Sequence, residues 1–186
     1  EAKSNKSLMP ASWRIEPLPC TNPCVEIDMR ILWLGHNLAY PPKGGPLQRN
    51  YNLLREAAKY HEVHALVFDQ PASRPTNVTP QDCVNALLKF CATVEWVPLS
   101  KDVLGIGRYW RAFGGLVTGE PYEFRWLRSK DMARRLQRLA NRFPFDVVHA
   151  DTLGLAPYVP SVPHAGTVLN HHDIESALVQ RRALSE

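Results

Sequence analysis

Gly44, Gly45, His149, Asp151, His172, Asp173 and Glu175 are the residues of this chain whose types and spacing lend themselves to chemistry. The two glycines end a turn-rich loop between a short apolar run and an amphipathic one. Glycine amides ahead of a helix bind anions, because free N–H groups and the helix dipole point at one spot. His149-Ala150-Asp151-Thr152 and Asn170-His171-His172-Asp173 each follow or close an apolar run and bring carboxylates and imidazoles. Small residues, a carboxylate and imidazoles together can hold a sugar hydroxyl and a diphosphate. Each residue also has a plainer reading. Gly44-Gly45 can be an ordinary turn, Asp151 the cap of a short helix starting near Leu153, and His149 a strand-end residue. His172, taken in isolation, reads more readily as a satisfied, partly buried histidine. It is preferred to His171 because it makes a His-x-x-Glu pattern with Glu175. His36, His61 and His64 are read as structural.

These groups must be brought together by regular elements, and the chain alternates strand and helix periodicities. Strands are expected at 30–34, 63–68, 93–97, 145–150 and 167–170. A first helix opens near Pro46, where a missing N–H costs nothing, and carries the stripe Leu47, Tyr51, Leu54, Ala58. Thr79-Pro80-Gln81-Asp82 caps a second helix bearing Val84, Leu87, Leu88 and Cys91, with both Cys83 and Cys91 inside it. Residues 103–142 read as mostly helical, broken around Gly114-Gly115 and Gly119-Glu120-Pro121. Leu153 to Tyr158 reads as a short helix or turn, and a further helix starts near Ile174. Strands separated by helices predict an α/β fold with a doubly wound, parallel, Rossmann-like sheet of order 3-2-1-4-5. Ligands then bind beyond the carboxyl ends of strands one and four, where the segments 35–45, 149–152 and 170–173 meet.

Length and composition agree with one such domain. The chain has 186 residues, 45% of them hydrophobic, enough for a sizeable core and too many for a disordered segment. Residues 1–28 are polar and punctuated by Pro10, Pro17, Pro19 and Pro23, which reads as an N-terminal extension ahead of a domain at 29–186. Neither a signal-peptide pattern nor an apolar run of membrane-spanning length is present. Cys20 and Cys24 lack a second ligand pair at zinc spacing, so reduced cytosolic thiols are expected. Gly105-Ile106-Gly107 follows no strand and lacks a third glycine, which argues against a nicotinamide cofactor.

The net charge of +4 is unevenly placed. Residues 125–142 hold Arg125, Arg128, Lys130, Arg134, Arg135, Arg138 and Arg142 against Asp131. This run fits either a peripheral contact with anionic lipid or a phosphorylated acceptor, or simply the solvated face of a helix whose apolar stripe is Met132, Leu136, Leu139 and Phe143. Without aromatic interleaving or a recognised motif, nucleic acid is not expected as a partner.

Pro41-Pro42-Lys43-Gly44-Gly45 leading into a helix, and His61-Glu62-Val63 opening a strand, resemble the start of family-4-type glycosyltransferases of the GT-B fold (glycosyl transferase group 1). His172-Asp173-Ile174-Glu175-Ser176 followed by Arg181-Arg182-Ala183 resembles that family's His-Asn-Val-Glu-Ser…Arg segment, with Asp173 where Asn is often found. The resemblance spans roughly residues 29–182 and corresponds to the N-terminal, acceptor-side half of a GT-B enzyme.

It implies a retaining sugar transfer from a nucleotide-diphospho-sugar to a hydroxyl acceptor. His172 would be the catalytic, acceptor-side histidine, and Gly44, Gly45, His149, Asp151, Asp173 and Glu175 would contact the donor diphosphate or the acceptor. No cofactor or metal is implied, since no Asp-x-Asp pair occurs. The family's donor-binding domain with its Glu-x7-Glu motif has no counterpart among these residues, so the chain is expected to be inactive without a C-terminal donor domain. A cytoplasmic location, at most peripheral to the inner face of the membrane, goes with this reading. The alternatives are a non-catalytic phosphosugar-binding or partner-binding domain and, by fold analogy alone, another doubly wound protein of the flavodoxin kind.

Overall fold

A computed structural model of the chain describes residues 29–99 and 122–170. Its elements are β1 (Arg30–Gly35), α1 (Gly45–Ala57), β2 (Glu62–Asp69), α2 (Pro80–Leu87), β3 (Thr93–Pro98), α3 (Tyr122–Trp126), α4 (Lys130–Arg142), β4 (Val147–Ala150) and β5 (Gly166–Leu169), with a 3-10 segment at Leu153–Ser161. The five strands form one sheet in the order β3-β2-β1-β4-β5. Every pairing is parallel, with Leu34 beside Leu66 on one side and Ala150 on the other. This is the α/β, Rossmann-like arrangement that the alternating periodicities predict.

Alternation of side chains along the strands supplies two apolar faces. Leu32, Leu34, Leu66, Phe68, Val148 and Ala150 meet Met132, Leu136 and Leu139 of α4 and Leu155 and Tyr158 of the 3-10 segment. On the opposite face Ile31, Trp33, Val63, Ala65 and Val67 meet Leu54 of α1 and Val84 and Leu87 of α2. A sheet buried on both faces needs near-continuous apolar strands, and Val-His-Ala-Leu-Val-Phe in β2 is such a run.

The helix ends follow local chemistry. Thr79 Oγ1 accepts from the Asp82 N–H at 3.2 Å while Asp82 Oδ2 accepts from the Thr79 N–H at 2.8 Å, a reciprocal capping box at the start of α2. Ser129 caps α4 by accepting from the Met132 N–H. The Tyr158 hydroxyl donates to the Leu127 carbonyl and accepts from the Ser129 N–H, tying the 3-10 segment to the turn before α4.

Two expectations are corrected. α2 ends at Leu87, so Cys91 lies beyond the helix rather than within it; its N–H still reaches the Leu87 carbonyl as the chain turns toward β3. The apolar stripe of α1 is also narrower than the pattern implied: Leu54 and Asn50 are the buried residues of the helix, while Leu47 and Tyr51 are only partly covered. A polar side chain takes the inward position one turn before Leu54 because a charged group waits beneath it.

Cys83 and Cys91 are both free and buried. Burial pushes the Cys91 thiol up to about 12 and raises Cys83 as well, against the nearby Arg74 charge. Only the thiolate is nucleophilic, so alkylation of Cys91 should be slowed on the order of 10³-fold relative to a free thiol. Peptide mass mapping after brief iodoacetamide treatment should find both cysteines unmodified in the native chain and modified in urea.

Candidate functional site

The carboxyl ends of β1 and β4, at the point where strand order reverses, carry a buried polar cluster. Its centre is Asp151, the first residue after β4, whose side chain has no solvent exposure. Both carboxylate oxygens accept from the His36 backbone N–H, at 3.1 and 3.2 Å. Oδ2 also takes the His36 ring Nδ1 at 2.9 Å and the Asn50 Nδ2 at 2.7 Å. The Asp151 N–H in turn donates to the Leu34 carbonyl, which sets the carboxylate at the end of β1.

His36 follows Gly35, where the strands crowd: a Cβ on Gly35 would meet Val67 Cγ1 at 2.7 Å, so only glycine lets β1 lie this close to β2 before the chain turns outward. Gln70, just past β2, donates to the His36 carbonyl at 2.7 Å. Burial, the largest influence on the His36 imidazole, works against its charged form. The hydrogen bond and the charge of Asp151 together overcome it and hold the pKa above the ordinary histidine value.

Neighbouring strand ends add further polar groups. Arg49 of α1 donates to Asn170 Oδ1 at 2.8 Å, beyond β5. Asp69, closing β2, pairs with Arg74 at 3.2 Å; burial nevertheless outweighs the guanidinium and raises its carboxyl above the usual range. The first half of α1 is thus fastened by Arg49 and Asn50 to the ends of β5 and β4. The helix start itself is open. Gly44 occupies the cap position at φ +80°, a conformation that glycine adopts without strain, and it offers no capping side chain. The first turn holds no acidic residue, Pro46 has no N–H, and added Cβ atoms on Gly44 or Gly45 would meet nothing within 4 Å.

Of the residues named from the sequence, Gly44, Gly45 and Asp151 therefore come to one end of the sheet. His149 sits within β4 with its ring stacked on Trp33, centroids 3.7 Å apart, on the face that α1 and α2 cover. Asp151 does not cap the 3-10 segment: Thr152 stands at that cap, and the carboxylate turns inward to His36 and Asn50. His172, Asp173 and Glu175 lie outside the described residues. His36, read as structural, is joined to Asp151, a partner the sequence did not name. Its position directly after the first strand was the available signal; Asn50 and Gln70 had none, being ordinary polar residues in a helix and a loop.

His61 and His64 make hydrogen bonds within the fold. The buried His64 bonds Thr93 Oγ1 and Glu62 Oε1 at the other end of the sheet, and the His61 ring accepts from the Met29 N–H.

The basic run of α4 lies on its exposed side, with Met132, Leu136 and Leu139 buried. Arg135 and Arg138 reach Glu95 at 3.2 and 3.6 Å, Arg134 pairs with Asp131, and Arg142 lies over the Phe143 ring. Among the described residues, no helix is long and apolar enough to cross a membrane, and no group of three His, Cys, Asp or Glu side chains is placed to share a metal ion.

The fold and this cluster define a Rossmann-like α/β domain with a buried polar cluster at its switch point. No protein-family model matches the chain, and a search of curated proteins likewise finds no match.

Proposed function

We propose that this chain is the acceptor-side domain of a retaining glycosyltransferase that moves a sugar from a nucleotide-diphospho-sugar to a hydroxyl acceptor. The observation that carries the reading is the open glycine turn at the start of α1, with an uncapped helix N-terminus beside the Asp151 cluster at the switch point. The order of Pro-Pro-x-Gly-Gly, His-Glu-Val and His-Asp-Ile-Glu-Ser motifs supports it from the sequence. Catalysis in such a site is mostly positioning and electrostatics: amides of the turn stabilise charge on the leaving diphosphate while polar groups orient the acceptor hydroxyl. His172 is the acceptor-side histidine of this reading, which also assigns His149, Asp173 and Glu175 to the donor or the acceptor. A donor-binding domain supplies the remaining diphosphate and base contacts.

The reading has a direct test. Gly45→Leu should leave the fold intact, because a side chain there meets open space. It should lower binding of UDP-glucose and GDP-mannose, followed by saturation-transfer NMR, by about 10-fold or more through blocked backbone approach. Unchanged binding would remove the turn as the phosphate cradle. Radiolabelled-sugar transfer should be absent for the 186 residues alone and present when they are joined to a donor-binding domain; transfer by the isolated chain would refute the two-lobe mechanism.

The second reading, a phosphosugar-binding or partner-binding domain without turnover, predicts binding in both cases and transfer in neither. The exposed basic side of α4 suits a peripheral contact in the cytoplasm with anionic lipid, which sedimentation with phosphatidylglycerol vesicles against phosphatidylcholine vesicles would reveal.

A further inference from the structure

The end of α3, the first turn of α4 and the 3-10 segment line a cleft of about 320 Å³. α4 and the 3-10 segment cover the face of the sheet opposite α1 and α2, so the cleft is separate from the glycine turn. Phe124 of α3 and Pro157 and Tyr158 of the 3-10 segment give it apolar walls, while Arg128, Lys130 and Ser161 bring polar groups. The Tyr158 ring is fixed as a wall, because its hydroxyl bonds the Leu127 carbonyl and the Ser129 N–H. Lys130 is exposed and has no hydrogen-bond or ion-pair partner among the described residues. The neighbouring carboxylate, Asp131, turns to Arg134 instead. No acidic side chain is among the described residues that line the cleft.

We propose that this cleft binds a small, soluble organic phosphate monoester, with its anionic head at Lys130 and Arg128 and its apolar body against Phe124, Pro157 and Tyr158. The charge argument selects the head. A phosphate monoester carries about −1.5 to −2 at neutral pH, which two cations match better than they match a carboxylate. The walls select the body, since an inorganic anion would leave the apolar surface of the cleft in water. The shape selects a small molecule: the volume falls in the range of small-ligand clefts, about 300–1,000 Å³. A bilayer presents a broad surface, which suits the outward side of α4 and not a concave site. This inference is independent of sugar transfer, because it uses neither the glycine turn nor the Asp151 cluster.

The probe is phenyl phosphate, titrated into the isotopically labelled 186-residue chain and followed by amide chemical shifts. The Lys130 and Ser161 resonances should shift to saturation. Inorganic phosphate and phenol, which each offer half of the ligand, should bind about 10-fold or more weakly. Lys130→Glu should weaken phenyl phosphate by about 10-fold at low ionic strength and by less in high salt. Ala133→Phe places a ring in the cleft from an exposed position of α4 and should abolish binding with both cations kept. Lys89→Glu makes the same charge change just beyond α2, on the opposite face, and should leave binding unchanged. All three substitutions fall at exposed positions, so each chain should fold as the parent does.

Equal weakening by Lys130→Glu and Lys89→Glu, or inorganic phosphate binding as tightly as phenyl phosphate, would mean a general attraction of anions to a basic chain and would overturn the proposal. Binding retained in Ala133→Phe would also overturn it. So would failure of phenyl phosphate together with Lys130-dependent sedimentation on phosphatidic acid vesicles, which would assign the cleft to a membrane lipid.

Discussion

Asp151→Ala should destabilise the folded chain by about 3–5 kcal/mol, the cost typical of removing one partner from a buried, hydrogen-bonded charge pair. The truncation leaves the His36 N–H, His36 Nδ1 and Asn50 Nδ2 without their acceptor in a site closed to water. Asp151→Asn should cost less, about 1–3 kcal/mol, since an amide oxygen still accepts while the charge is gone.

The loss should also depend on pH, and its sign follows from His36. Because the folded pKa lies above the unfolded one, protonation of His36 stabilises the folded state. That contribution is complete below the unfolded value of 6.5 and disappears as pH rises through the folded value. Urea unfolding of both chains should therefore give a larger difference on the acid side of neutrality than in alkaline buffer. Equal differences at both would mean that the Asp151–His36 contact is not an ion pair.

Phe68→Ala should cost about 3–5 kcal/mol, from lost transfer energy plus the cavity left behind. Phe68 is fully buried near the end of β2, in the cluster with Leu34, Leu66, Leu136 and Leu155. A central strand between two pairing partners cannot shift to fill the hole without disturbing β1 and β3. Glu95→Gln offers the contrast. Its carboxylate meets Arg135 and Arg138 on half-exposed surface, and losing it should change stability by less than about 1 kcal/mol. If the two variants unfolded at similar urea concentrations, the apolar face of α4 would not be the one that stabilises this side of the sheet.

The sequence by itself determined the layers and their order. Apolar runs in β1 and β2, the helical spacing of Met132, Leu136 and Leu139, and the Thr79–Asp82 cap are local patterns, and each acts within a few residues of itself. Handedness and short connections then leave few ways to assemble a parallel sheet, so the order 3-2-1-4-5 could be read before any coordinates. The open turn at Gly44 was legible for the same reason: two glycines ahead of a helix announce a backbone that needs no side chain.

Only the tertiary structure decided what Asp151 does. In sequence it is 115 residues from His36 and 101 from Asn50, and nothing in the local pattern of any of the three announces the other two. Parallel pairing of β1 with β4 puts their carboxyl ends side by side, and the crossover lays α1 over them. A carboxylate that could have capped the next helix turn is instead sealed under α1, where the His36 backbone N–H, the His36 ring and the Asn50 side-chain amide converge on it. For the same reason the partner of His36 could not be read locally: its carboxylate lies across the pairing of β1 with β4.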